Sequence, residues 1–370
     1  SSAMRITITD SPVSFVHRKN RLTALCVVVL AAFLCLASCR ENKDPANGII
    51  PSSELNVYAL QEIRDTGFES AVLKEFAAQN GAKLDLTLFP DLPSLLDTLA
   101  AKTDPPGVDL VLGLDNAFVL GDSLLLNFAP LPEISLREIR RQIPRDPGQR
   151  LVPYACANLT LLYDSNLFPQ PPRSFGELQD ARYYAELGLC DPRSSGLGRS
   201  SLLWFLSIFG EQGYAQLLNS LRKNVRKVYA DRFEALDALR KGECTLMLGF
   251  GSTPAWIAEF SPADARIRSS MPREGSFLYM RSAAVCKDAP NRETAVKFLE
   301  YLISPEAQQF VMYKLGMMPV NGRAPLPNGF DRVPLDIYAT NSRLDEDLAR
   351  QSMARLLQIW TVRFTPRPIY

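Results

Sequence analysis

Leu55-Asn56-Val57-Tyr58-Ala59-Leu60, Leu84-Asp85-Leu86-Thr87-Leu88-Phe89 and Val108-Asp109-Leu110-Val111-Leu112 are three short apolar runs, each separated from the next by a stretch long enough to hold a helix. Between the first two, Phe68, Val72 and Phe76 recur at helical spacing within Phe68 to Gln79, and Leu92 to Ala101 reads as a second helix. The third run is nearly all apolar, as strands covered on both faces are. Parallel neighbours need a crossover, and a helix supplies it, so the order strand, helix, strand, helix, strand predicts an open, mostly parallel sheet of the α/β class. Ligands of such sheets sit outside the carboxyl ends of the strands.

Further along, Val152-Pro153-Tyr154 and Leu159-Thr160-Leu161-Leu162-Tyr163 read as extended segments leading into a new unit. That unit is expected to hold helices around Ser201 to Phe209 and Arg232 to Lys241, and a buried strand from Thr245 to Phe250. Ser276 to Met280 would carry the chain back to an amphipathic helix, Arg292 to Ile303. Gln308 to Lys314 reads as a solvated helix with an apolar side. Leu344 to Trp360 reads as a closing helix with Leu348, Leu356 and Trp360 on compatible faces. The prolines gather at segment junctions such as Pro105-Pro106, Pro130 and Pro132.

Upstream of the body, Arg18, Lys19 and Arg21 precede an apolar run from Leu22 to Leu36 that ends in Leu36-Ala37-Ser38-Cys39. This is the pattern of a bacterial lipoprotein leader: residues 1–39 form the signal peptide, and the Cys39 thiol takes the lipid. A permanent membrane-spanning helix is the alternative, but the run has about 15 residues against the roughly 20 that a bilayer core requires. Residues 40–53 are polar, with Pro and Gly, and suit a flexible tether. The folded body is then expected on the periplasmic side of a bacterial membrane, lipid-anchored, with inner versus outer membrane left open. Beyond Cys39 the chain keeps about 330 residues, enough for two domains.

Lys+Arg 41 against Asp+Glu 40 leaves no bulk field, which argues against a nucleic-acid partner. Arg137, Arg140, Arg141 and Arg145, mixed with Glu133, Glu138 and Asp146, form a local basic face that specifies no partner. The only histidine, His17, lies in the leader, so a Ser-His-Asp or Cys-His hydrolase and histidine-ligated zinc are excluded from the mature chain. Cys26 and Cys35 also lie in the leader. Cys156, Cys190, Cys244 and Cys286 remain as disulfides or buried thiols, with no CxxC pair to suggest a metal or redox site. No catalytic residue, metal or cofactor is expected.

Asp191-Pro192-Arg193-Ser194-Ser195-Gly196-Leu197-Gly198 runs into the helical Ser200 to Leu206. A helix start with hydroxyls and flexible backbone suits an anion, and an ordinary serine-capped helix has the same pattern. It lacks the lysine and spacing of a P-loop. Asp91 and Asp115 stand at the ends of the second and third strands, where each would face the cleft. An Asx turn or helix cap is the commoner fate of an aspartate such as Asp115. Phe250 and Trp256 follow a buried strand and offer ring faces or core packing in equal measure. Tyr58, Gly196 and Arg232 complete the expected ligand-binding set. Tyr183-Tyr184 reads as helical surface, not as a ferric site.

Gly113-Leu114-Asp115-Asn116, Asp191 to Ser195 before Leu202-Leu203-Trp204, Lys241-Gly242-Glu243 before a buried strand, Ser252-Thr253-Pro254-Ala255-Trp256 and Leu302-Ile303-Ser304-Pro305 stand in one order from about Leu55 to Trp360. In this the chain resembles the thiamine-binding solute-binding proteins of bacterial ABC importers, within the wider group that includes ferric-ion and polyamine receptors. The resemblance implies a two-lobed periplasmic-binding-protein fold, each lobe a mostly parallel sheet flanked by helices, with the ligand cleft between. Lobe 1 would be residues 54–152 and 281–335, and lobe 2 residues 153–280 and 336–370.

The resemblance also implies that Asp91 contacts the vitamin, that Ser194 and Ser195 face its phosphate or hydroxyl tail, and that Phe250 and Trp256 line the rings. Three aromatic positions of the family fall on Leu60, Arg232 and Met317, and a tryptophan falls near Thr66 or Gly67. Arg232 would then add charge for a phosphorylated form. The implied function is capture of thiamine or a thiamine phosphate by a monomeric receptor that delivers it to a permease with a separate ATPase subunit. A ferric complex, polyamine or other organic cation is the alternative solute. An enzyme built on Asp91 and Asp115 is the reading from a different class.

Overall fold

The computed structural model describes residues 53–101, 107–118, 122–335 and 339–364. The expected signal peptide, the lipobox Cys39 and the tether up to residue 52 lie outside the described residues. Among the described residues no helix is long and apolar enough to cross a membrane.

The first third folds as β1 (Glu54–Leu60), α1 (Glu62–Asp65), a π-helical turn (Glu69–Lys74) running into α2 (Glu75–Asn80), β2 (Lys83–Phe89), α3 (Leu92–Ala101), β3 (Leu110–Asp115) and α4 (Asp122–Leu125). β1 lies between β2 and β3 and is parallel to both, as the three apolar runs require. The middle folds as β4 (Val152–Asp164), β5 (Leu187–Cys190), α5 (Gly196–Leu221), β6 (Val225–Tyr229), α6 (Arg232–Lys241), β7 (Leu246–Phe250), α7 (Thr253–Phe260) and β8 (Ile267–Ser270). The chain returns through β9 (Leu278–Val285), α8 (Arg292–Leu302), α9 (Pro305–Leu315), β10 (Met318–Pro319) and α10 (Glu346–Phe364).

The strands line up as β2-β1-β3-β9-β4-β7-β5-β6. Each half of this order carries three parallel strands with the first in the chain at the centre, and the antiparallel β9 and β4 join the halves. β4 makes the crossing: Val152 to Asn158 pair with β9, and Leu159 to Tyr163 pair with β7. All 13 of its residues are buried. The two extended segments expected here are therefore one strand.

Local chemistry explains which boundaries match expectation. α6 begins and ends where read because the Asp231 side chain accepts from the Phe233 and Glu234 amides and Gly242, at φ 74°, closes it in the left-handed conformation. α5 extends past the expected Phe209 to Leu221, with a kink at Gly210 (φ 66°, ψ −178°). Two further expectations are corrected. Leu348 is 54% exposed and takes no part in closing α10 on the body. Gln308 is fully buried and not solvated, because its amide donates to the Tyr154 and Leu302 carbonyls and accepts from the Val320 amide. The four cysteines of the body are free thiols, with Cys156, Cys190 and Cys244 buried.

Candidate functional site

The carboxyl ends of the parallel strands of both halves converge on one cavity of about 250 Å³. β1 delivers Leu60 and Glu62, β2 delivers Asp91 and β3 delivers Asp115. From the other half come Ser194, Ser195 and Gly196 after β5, Asp231 and Arg232 after β6, and Phe250 from β7. Tyr279 and Arg281, on β9, form part of the wall. A larger hollow of about 680 Å³ lies on the far side of Asp115, walled by the Pro144–Leu151 loop and α4. Among the described residues no other parallel strand ends there, so the strand-end cleft is the better site.

A bulge in β3 aims Asp115. Gly113, at φ 107°, shifts the register between Leu112 and Leu114, so that Asp115 comes opposite Arg281. One Asp115 oxygen accepts the Ala117 and Phe118 amides at 2.9 and 3.0 Å, the Asx-turn role left open by the sequence. The other accepts the Tyr279 hydroxyl at 3.2 Å. Burial raises the Asp115 pKa to about 6, against the lowering effect of Arg281 and the two amides.

Glu62 is the hub of the charged wall. Its two oxygens accept from Arg232 and Arg281, each at 2.5 Å. Burial opposes ionisation of Glu62, but the two guanidiniums outweigh it and hold the carboxyl at about 2. Arg281 also donates to the Tyr279 hydroxyl at 2.9 Å, and Arg232 to the Leu315 carbonyl at 2.8 Å. Glu62 belongs to the first half of the sheet and Arg232 to the second, so this ion pair spans the cleft. Phe250 stacks on Tyr279 with centroids 5.3 Å apart, and the Arg232 guanidinium sits 4.0 Å from the Phe233 ring centre and 5.1 Å from that of Phe250.

The hydroxyls and Asp91 do local work first. Ser195 caps α5 by accepting the Gly198 amide, Asp91 accepts the Ser94 amide and hydroxyl, and Ser194 donates to the Ala230 carbonyl. Gly196 lies against the opposite wall of the cleft. A Cβ on it would lie 2.5 Å from an Asp115 oxygen and 2.6 Å from the Tyr279 hydroxyl.

Seven of the nine expected ligand-binding residues, namely Asp91, Asp115, Ser194, Ser195, Gly196, Arg232 and Phe250, line this one cavity. Two do not. Tyr58 points to the other side of the pleat, 5% exposed, against Phe89 and beside Leu92 and Leu95 in a buried cluster. Trp256 is turned by α7 toward α9, where its ring nitrogen donates to the Tyr313 carbonyl at 3.2 Å and its ring faces Gly316. It lines a neighbouring groove. Met317, one of the positions singled out by resemblance, is fully buried core.

Sequence reading overlooked Glu62, Tyr279 and Arg281. Two signals pointed to them. Glu62 follows the first strand by two residues, a strand-end position like that of Asp91. Arg281 is a charged residue inside an otherwise apolar strand, and such a residue is buried only when paired.

What the arrangement offers is recognition. A flat aromatic pair lies beside carboxylates in a small cleft, with polar tips at the rim. Among the described residues no group of three or more His, Cys, Asp or Glu side chains could hold a metal ion.

Comparison with known proteins agrees with this architecture. The family model for bacterial extracellular solute-binding proteins matches residues 127–350. The thiamine-binding periplasmic protein of Brucella abortus biovar 1 (strain 9-941) is 26% identical over 317 residues, covering 85% of this chain and 91% of that protein. The thiamine-binding periplasmic protein of Escherichia coli (strain K12) is 28% identical over 284 residues, covering 75% and 84%. Among solved structures, a periplasmic thiamin binding protein superposes with a TM-score of 0.71 at 26% identity, covering 85% of this chain and 96% of that one.

Proposed function

The chain belongs to the bacterial extracellular solute-binding proteins, and from that premise we propose that it captures thiamine or a thiamine phosphate in the strand-end cleft and hands it to the permease of an ABC importer. Solute-binding proteins of this kind are receptors, not enzymes, and work in the periplasm. The observation that carries the ligand reading is the stacked Phe250–Tyr279 pair beside Asp91 and Asp115, in a chain whose curated relatives include thiamine-binding periplasmic proteins.

In this reading the vitamin's rings lie against Phe250 and Tyr279, while Asp115 and Asp91 face its positive charge and amino group. Ser194 and Ser195 meet the hydroxyethyl end. Asp91 and Ser195 have acceptor capacity left after capping, so both roles are compatible. Lobe closure about the crossing strands β4 and β9 brings Arg232 onto Glu62 and Gly196 onto Asp115. Cys39 carries the lipid that keeps the receptor near its permease, whose ATPase subunit supplies the energy. The receptor acts as a monomer.

Native mass spectrometry of freshly purified protein should show a bound species with the mass of thiamine or an ester. Thermal unfolding with added thiamine at 100 times its dissociation constant should show about 2.7 kcal/mol of stabilisation. The excess of carboxylates in the cleft favours one second reading, a polyamine or other organic cation. A shift with spermidine and none with thiamine compounds would replace the first reading by the second.

A further inference from the structure

Arg232 fills a place built for a planar cation. Its guanidinium sits over two aromatic rings, 4.0 Å from the centre of Phe233 and 5.1 Å from that of Phe250. Its Nη2 donates to a Glu62 oxygen at 2.5 Å and to the Leu315 carbonyl at 2.8 Å. Aromatic faces are what proteins use to hold organic cations, and here a carboxylate stands at their edge. The partners come from separate elements: Glu62 from α1, Phe233 from α6, Phe250 from β7 and Leu315 from the end of α9. Arg232 therefore occupies a cage on the wall of the strand-end cavity, assembled from both halves of the sheet.

The guanidinium is seated there incompletely. Both of its bonds leave from one nitrogen, and its Nε is buried with no partner among the described residues. A buried donor without an acceptor opposes the arrangement. Glu62 does not depend on Arg232 alone, because its other oxygen accepts from Arg281 at 2.5 Å. Arg232 also has somewhere to go. It lines a second hollow, of about 270 Å³, together with Leu236, Asp237, Trp256 and Lys314. Rotation about its side-chain bonds moves the guanidinium out of the cage toward the Trp256 ring and the Asp237 carboxylate. Lys314, with no counter-ion among the described residues, makes that hollow the poorer seat of the two.

Resting on the thiamine reading above, we propose that Phe233, Phe250, Glu62 and the Leu315 carbonyl form a subsite for the planar cation of the ligand, and that Arg232 is a built-in competitor for it. Closure of the lobes brings Arg232 onto Glu62 and so plugs the subsite. A flat organic cation entering the cleft takes the place of the guanidinium and turns Arg232 toward the second hollow. Both occupants carry one positive charge, so the exchange leaves the charge beside Glu62 unchanged. The ligand then gains only what its rings and polar groups add, and Arg232 holds the affinity down.

Isothermal titration calorimetry with thiamine, on the protein and on Arg232→Ala, tests the proposal. With the plug removed, thiamine should bind about fivefold more tightly, or better. Methylguanidinium chloride at about 50 mM should restore the plug from solution: against the same concentration of sodium chloride it should weaken thiamine binding to the variant about twofold or more, and leave the parent unchanged. Equal or weaker thiamine binding by the variant overturns the role of Arg232 as competitor. Binding to the variant that is indifferent to methylguanidinium overturns the cation subsite. If neither protein binds thiamine, the thiamine reading falls, and thermal unfolding decides the subsite. Methylguanidinium should then raise the melting temperature of Arg232→Ala relative to sodium chloride and not that of the parent, and no such difference overturns the subsite too. Should Arg232→Ala fail to fold, Arg232→Gln removes the charge while keeping a donor for the Leu315 carbonyl. It is expected to show the same gain in affinity, and the absence of a gain overturns the proposal.

Discussion

The two halves of the sheet are built alike and furnished differently. In each, three parallel strands stand in the order second, first, third and lean on an antiparallel neighbour, β2-β1-β3-β9 in one and β6-β5-β7-β4 in the other. The first half brings carboxylates to its strand ends, Glu62, Asp91 and Asp115. The second brings Ser194, Ser195, the amino end of α5, Arg232 and the Phe250 ring. The backbone device is the same, and the chemistry it presents is not. Three contacts tie the faces together: Arg232 on Glu62, Gly196 against Asp115, and Phe250 on Tyr279. The difference makes the halves complementary where Arg232 on one face meets Glu62 on the other.

The most forceful way to break that complementarity is Arg281→Met. Arg281 and Glu62 have side chains only 6% and 14% exposed, and removing the cation leaves a carboxylate in a confined place with half its compensation gone. Breaking a buried pair on one side costs about 3–5 kcal/mol, which urea unfolding would register as a lower midpoint. A midpoint within error of the parent would show that Arg232 alone suffices.

Acid should loosen the same hub by a comparable or smaller amount. The folded pKa of Glu62 is about 2, below its ordinary 4.5, so its contribution is complete above pH 4.5 and is lost as pH falls toward 2. The loss is on the order of 3 kcal/mol. Asp115 works in the opposite direction. Its folded pKa, about 6, lies above its ordinary 3.8, so as pH rises from about 4 through 6 its ionisation lowers stability. Unfolding free energies measured from pH 7 to 2 should therefore fall steeply at the acid end in the parent and less so in Glu62→Gln.

Gly196→Ala sharpens the comparison where Gly196 lies beside Asp115. The added methyl meets the Asp115 carboxylate and the Tyr279 hydroxyl, and wedging the halves should cost about 1–3 kcal/mol of ligand affinity, roughly fivefold to 150-fold. Calorimetry reads the affinity, and small-angle scattering with ligand present should show a larger radius of gyration than the parent. Unchanged affinity would mean that ligand binding needs no such close approach. The smallest effect is expected at Tyr58→Phe. Its ring packs against Phe89 beneath the sheet, so affinity should stay within about twofold, and a larger loss would return Tyr58 to the binding site.

Much of the fold was legible because it is written in neighbouring residues. Three apolar runs with helical stretches between them imply a parallel sheet, and a capping aspartate with a terminal glycine marks α6 to the residue. The rule that puts ligands at strand ends picked out Asp91, Asp115 and Phe250, and the hydroxyls at a helix start picked out Ser194 and Ser195. Tyr58 and Trp256 fall outside the cavity for a shared reason: proximity to a strand end in sequence does not say which face of the pleat or helix a ring takes. Glu62 and Arg281 stayed hidden because their meeting joins residues 219 positions apart. No local pattern announces such a pair.

By itself, then, the sequence determined the kind of sheet, the places where its strands end and the residue types that stand there, because these follow from spacing, capping and hydrophobic pattern along the chain. The tertiary structure decided which charges meet. Arg232 became Glu62's partner and Gly196 a neighbour of Asp115 only when β4 and β9 crossed between the halves, since pairing depends on distances in space that the order of residues does not encode locally.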